Sequence, residues 1–208
     1  MADAPHVDGK PIPRVQVAES PNAYLARTEE RGHVAKPVFS IGIKDVAIPT
    51  TPHERLLRDT AMAILNEIVF GESGELYHRL FNEGLISPEL SANYALARDF
   101  AFNQIAGEAQ NPDLVLDRIL AYVAELKKTG ISRADFDRAV HVEYAEYIKS
   151  FDSTEEIATA LLSCGIDGEE LFATPDVIES LSFDEVTAAV EDFFAPDRIT
   201  ISIVMPQK

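Results

Sequence analysis

Five histidines, one cysteine and one glycine-flanked serine are the residues of this chain best suited to metal or nucleophile chemistry. The histidines are His6, His33, His53, His78 and His141, and no two lie three to five residues apart. A helical zinc pair, in H-E-x-x-H or H-x-x-E-H order, needs two histidines four residues apart so that both ring nitrogens face one ion. Neither order occurs. His141 with Glu143 or Glu146 supplies at most part of a site. Gly71-Glu72-Ser73-Gly74-Glu75 approximates a nucleophile elbow, but Glu75 stands where the last glycine belongs and no long strand leads into the turn. No Gly-Lys-Ser/Thr exists for a phosphate loop. Cys164, followed by Gly165 at an apolar helix end, reads as structural, because buried free thiols are mostly inert. The paired acids Glu155-Glu156 and Glu169-Glu170 read as solvated faces. No residue is assigned as catalytic, as a metal ligand or as a cofactor ligand. The chain is therefore expected to act by binding, or as one part of a larger enzyme.

Charge limits the partners. The formal net charge is −17 in 208 residues. Residues 1–50 balance six basic against six acidic side chains, so the excess lies beyond them. The stretch 151–208 sets Arg198 and Lys208 against thirteen acids. Such a surface repels nucleic acid phosphates and anionic lipid. The acids stand singly between apolar residues, so no disordered acidic tail is expected. No run approaches the 18 or so apolar residues that span a bilayer. Met1–Lys10 has no apolar core of a secretory signal. A single cysteine allows no internal disulfide, which fits a reducing compartment. A soluble cytoplasmic protein, binding neither nucleic acid nor membrane, is the expectation.

The elements that must position any site are punctuated by caps. Thr51-Pro52-His53-Glu54 combines a threonine cap, proline at the first helical position and the glutamate of a capping box. Asn111-Pro112-Asp113 and Thr174-Pro175-Asp176 repeat the cap-then-proline pattern. Ser132, Ser153 and Ser182 have an acid three residues on, at Asp135, Glu156 and Glu185. Apolar residues then recur at helical spacing. Over 51–70 they are Leu56, Met62 or Ala63, Leu65 and Val69. Over 112–128 they are Leu114, Val115, Ile119, Tyr122, Val123 and Leu126. Over 132–151 they are Phe136, Val140, Tyr144, Tyr147 and Phe151. All three stripes read as core.

Strands are expected at 37–44, at 91–97 and 99–106 as a hairpin about Arg98-Asp99, and at 199–204. Arg14–Val17 is a short strand candidate. Residues 1–36 hold four of the twelve prolines and no helical stripe. They read as an N-terminal arm or linker remnant with at most one edge strand, leaving 37–208 as the folded domain. Clustered strands with long helices imply an α+β fold, a largely antiparallel sheet with helices packed on one face.

The stretch Phe70-Gly71-Glu72-Ser73-Gly74-Glu75-Leu76-Tyr77-His78-Arg79-Leu80-Phe81-Asn82-Glu83-Gly84-Leu85-Ile86 follows a long apolar helix and precedes a strand pair. In this it resembles the insulinase-type (M16) zinc metallopeptidases and their processing-peptidase and respiratory core-protein relatives. The likeness extends to the strand 37–44, to the helices after Asn111 and Ser132, and to the closing strand, over roughly residues 12 to 207. It is nearest to the C-terminal, non-catalytic half of bacterial insulinase-like proteins. The resemblance implies an M16-type α+β domain. It also implies that zinc sits on a partner or preceding domain, since the helix 51–70 lacks the family's H-x-x-E-H.

In that family an arginine and a tyrosine seven residues later contact the substrate backbone. The arginine corresponds to Arg79 and the tyrosine to Ile86, which has no hydroxyl, so half of the clamp is replaced. Arg79 has two readings: a forked donor for peptide, or an ion-pair partner of Glu75 or Glu83 on its own helix. The function implied is a peptide-binding, chamber-forming domain beside a zinc-bearing M16 domain or subunit. The alternative is a structural or adaptor subunit of core-protein type with no peptidase role. Apolar surface left bare without the partner also implies a homodimer.

Overall fold

The computed structural model describes residues 19–207. Two strands open this stretch, β1 (Arg27–Gly32) and β2 (Val38–Asp45), followed by helices α1 (Pro52–Phe70) and α2 (Glu75–Asn82). A hairpin of β3 (Ser91–Leu96) and β4 (Ala101–Glu108) comes next. Helices α3 (Pro112–Thr129), α4 (Arg133–Lys149), α5 (Thr154–Asp167), α6 (Thr174–Ser180) and α7 (Phe183–Phe193) then lead to β5 (Ile199–Pro206).

The strands form one five-stranded sheet in the order β1-β5-β2-β4-β3. Only β1 and β5 pair in parallel; the other pairings are antiparallel. Register puts Ile41 opposite both Ile105 and Ile201, so three isoleucines line up across the sheet centre. Alternation then decides the faces. Phe39, Ile41, Ile43, Ile105, Ile199, Ile201 and Ile203 are buried beneath the helices. Ser40, Gly42, Phe102, Gln104, Thr200 and Ser202 turn to the other face. The α+β architecture, with helices on one face, is that read from the sequence.

The caps form as read at five of the six helix starts. Thr51 and Glu54 close a capping box on α1, and Ser182 and Glu185 close one on α7. Asn111, Ser132 and Ser153 each accept from the backbone three residues on. Thr174 differs. A 3-10 turn, Leu171–Ala173, runs straight into α6, so Thr174 is already helical and its hydroxyl donates to Leu171 O, 3.1 Å away.

The stripe of α4 is core only in its first half. Phe136 and Ala139 are buried, whereas Tyr144 is exposed. Beyond Val140 no residue of the helix is fully buried. Tyr147 joins a satellite cluster in which Phe151 meets it at 5.1 Å and Phe172 at 6.1 Å. β1, in the stretch read as an arm, is an edge strand of the sheet. The strand expected at Arg14–Val17 lies outside the described residues.

Candidate functional site

The polar side of α1 faces a groove. Its apolar side fills the core through Ile64, Leu65, Ile68 and Val69, which leaves Asp59, Ala63, Asn66 and Glu67 beside the opening. Helix α4 packs on α1 and contributes Val142, Glu143 and Glu146 as one wall. The edge strand β3 contributes Ala92, Asn93 and Tyr94 as the other. The cavity measures about 510 Å3, and no lysine or arginine lines it.

Three contacts fix the strand wall. Tyr94 Oη donates to Asp45 Oδ2 at 2.6 Å. Arg58 of α1 donates to the same oxygen through Nε and Nη2, at 3.0 and 2.8 Å. The amides of Asn66 and Asn103 bond reciprocally beneath the groove. Helix, edge strand and neighbouring strand are thereby tied together.

The groove is electrostatically unbalanced. Glu67 is held by Arg138, and Glu146 pairs with Lys149 on the exposed side of α4. Among the described residues, Asp59, Glu72 and Glu143 form no ion pair. Desolvation in its recess, with Glu169 nearby, pushes the Asp59 carboxyl up to about 6. Desolvation, then Asp59, Glu146 and Glu67, also raise Glu143 above the usual carboxylate range.

Arg79 lines a different cleft, with Leu76, Glu83, Arg118, Tyr122 and Glu125. Its side chain is 42% exposed. Nε and Nη2 donate to Glu75, Nη1 donates to Glu125, and the guanidinium stacks 5.3 Å from the Tyr122 ring centre. Glu83 pairs with Arg118 instead. Ile86 is buried in the core, 8% exposed, and is not part of this cleft.

The glycine-flanked serine is a structural turn. A Cβ at Gly71 would lie 2.4 Å from Glu67 O, and one at Gly74 would lie 3.0 Å from Gly71 O. Ser73 Oγ accepts from Arg138 at 2.6 Å, and no histidine among the described residues bonds to it. Tyr77 donates to Pro88 O, and His78 is exposed. Glu169, read as solvated, pairs with Arg55 at 3.2 Å because the segment after α5 folds back over α1.

The described residues do not bring together a zinc ligand set. Helix α1 carries one histidine, His53, on its exposed first turn. Among the described residues no three His, Cys, Asp or Glu side chains converge as metal ligands. Nor is any described helix long and apolar enough to cross a membrane. Sequence reasoning noticed Glu143 and Glu146 but missed the groove. The polar residues Asp59, Asn66 and Glu67 on one side of α1 were its only local signal, since the facing walls come from distant segments.

A family model described as the peptidase M16 inactive domain matches residues 5–142. The zinc protease YmfH of Bacillus subtilis strain 168, described as uncharacterized, is 24% identical over 203 residues, covering 98% of this chain and 47% of that protein. A crystal structure described as an M16-like peptidase of Alicyclobacillus acidocaldarius superposes with a TM-score of 0.84 at 24% identity, over 90% of this chain and 45% of that one. The inactive peptidase domain of a Bordetella parapertussis protein, described as a zinc protease, superposes with a TM-score of 0.68 at 18% identity, over 86% of this chain and 97% of that one. At these identities the structures establish the fold. The chain spans about half the length of YmfH and of the Alicyclobacillus protein.

Proposed function

From the premise that this chain belongs to the M16 peptidase family, as an inactive-type domain, we propose that it is the non-catalytic half of a zinc peptidase. It binds peptide and completes a chamber with a zinc-bearing M16 domain. The observation that carries this reading is the groove, a cleft of about 510 Å3 running beside the edge strand β3. An edge strand offers main-chain donors and acceptors to any extended peptide, whatever its sequence. The half-length match to relatives described as zinc protease and M16-like peptidase supports the pairing with a second domain.

Within this reading Arg79 is a second peptide contact. Its fork gives three of its five N–H groups to Glu75 and Glu125, so a peptide carbonyl or carboxylate can accept from the two that remain. Ile86, buried in the core outside the Arg79 cleft, supplies no second half of the clamp.

The test mixes this chain with an M16 domain carrying H-x-x-E-H, supplied as a separate polypeptide. Co-elution as a complex and faster cleavage of an oligopeptide than by the zinc-bearing domain alone are expected. No association and unchanged turnover would overturn the proposal.

A further inference from the structure

The two edges of the sheet are built differently. The β1 edge, Arg27-Thr28-Glu29-Glu30-Arg31-Gly32, is densely charged, with Arg27 tied to Glu29 and Asp113. Charges of this kind block stray strand pairing. The β3 edge, Ser91-Ala92-Asn93-Tyr94-Ala95-Leu96, carries no charge and no proline. Its register with β4 runs unbroken from Ser91↔Ala106 to Leu96↔Ala101, so no bulge twists it away. Asp45 and Arg58 anchor it through Tyr94. An edge that is regular, uncharged and bordered by a groove suits a strand added from outside.

The groove sets the length and the charge of that strand. From Leu90 to Tyr94 an extended chain rises about 13 Å at roughly 3.3 Å per residue, so four or five peptide residues fit beside it. Alternate side chains of an added strand point toward α1 and α4. There they meet Asp59, Glu67, Glu143 and Glu146, with no lysine or arginine among the lining residues.

We propose that β3 takes an added strand from an extended peptide bearing lysine or arginine at the residue facing Asp59 and Glu143. This rests on the peptide-binding reading above and names the class of peptide. A neutral strand gains only the main-chain bonds. An ammonium or guanidinium also neutralises carboxylates that lack a cation of their own. The raised Asp59 and Glu143 carboxyls agree, because both lose water and then ionise beside other acids. Asp59 borders Glu143 across the groove and, on its other side, a cleft holding Arg55, Arg98 and Glu169. Glu143 faces Asp59, Glu146 and Glu67. Ionisation of this set favours the cation, so affinity falls as pH drops below about 6.

The probes are labelled heptapeptides of alternating threonine and valine, with lysine or glutamine at the centre, and a lysine version N-methylated at alternate amides. Binding to the chain is read by fluorescence anisotropy at low and high salt. We expect the lysine peptide to bind about fivefold tighter than the glutamine peptide at low salt, a preference lost at high salt. N-methylation should abolish binding. Asp59→Asn with Glu143→Gln should erase the lysine preference and spare the glutamine peptide. Equal binding of the lysine and glutamine peptides to the unaltered chain, with the N-methylated peptide still excluded, would overturn the charge selection and leave the peptide-binding reading standing. Failure of every peptide to bind would overturn both. The salt and glutamine comparisons need no variant, so a misfolded double variant leaves the decision intact.

Discussion

Asn66 of α1 and Asn103 of β4 hold each other through two reciprocal amide bonds, Nδ2 to Oδ1 at 2.9 and 2.6 Å. Asn103 is fully buried and Asn66 nearly so. A buried amide keeps its partner because an orphaned one costs about 1–3 kcal/mol. The pair joins the floor of the groove to the sheet. Asn103→Ala should therefore cost about 1–3 kcal/mol in urea unfolding. Asn66→Leu combined with Asn103→Leu should recover part of that loss, since no polar group is then left unpaired. A single variant as stable as the unaltered chain would show that the pair adds nothing.

Asp45 is 3% exposed and is the shared acceptor of Arg58 and Tyr94. Asp45→Ala strands a guanidinium that is largely desolvated. The expected loss is about 3 kcal/mol, in the range for breaking one side of a buried ion pair. Hydrogen exchange should rise first in β3, which loses its Tyr94 tether. Unchanged exchange there would show that β3 is held by its ladder alone.

Asp59 should make stability depend on pH in a defined direction. Its carboxyl titrates near 6 when folded and near 3.8 ordinarily. Between those values the folded state holds the proton that the unfolded chain has lost. Stability from this group is thus present at low pH and falls as pH rises through the window. Asp59→Asn should stabilise the chain near neutral pH. The gain is on the order of 0.5–1 kcal/mol, because the side chain still reaches solvent, and it should vanish below about pH 4. Thermal melts across pH give the comparison, and a destabilised Asn variant at neutral pH would contradict it.

Arg79 pairs with Glu75 and Glu125 on the surface, so Arg79→Ala should cost less than about 1 kcal/mol. Peptide binding or assisted cleavage should nonetheless weaken. If the variant unfolds, or if it folds and binds peptide unchanged, Arg79 serves only to join α2 to α3.

Leu162, Ile166 and Phe172 are exposed on and just after α5, whose described residues include none that is buried. Without a second M16 domain, this face should drive self-association, most simply as a two-fold dimer. Light scattering should show association that rises with concentration, and Leu162→Glu with Ile166→Glu should abolish it. A monomer at high concentration would remove the argument.

The sequence alone determined most of the elements, because capping and periodicity are local, but β1, a run of charged and small residues with neither signal, was read as part of an arm. Thr51 and Glu54, or Ser182 and Glu185, lie within one helical turn of each other. The same locality explains the misreadings at Thr174 and Tyr144. Thr174 has the residues of a cap, but the turn before it had already entered the helix. Tyr144 has core spacing, but no residue of α4 beyond Val140 is fully buried. The M16 likeness was legible in the segment 70–86 because a tight glycine turn and a short amphipathic helix leave a linear trace. Only the tertiary structure decided the groove. Asp59, Tyr94 and Glu143 stand on three elements far apart in the chain, and no periodicity relates them. Sheet order makes β3 an edge, and helix packing sets α4 opposite it. Together these turn scattered acids of a −17 chain into one wall facing unpaired main chain.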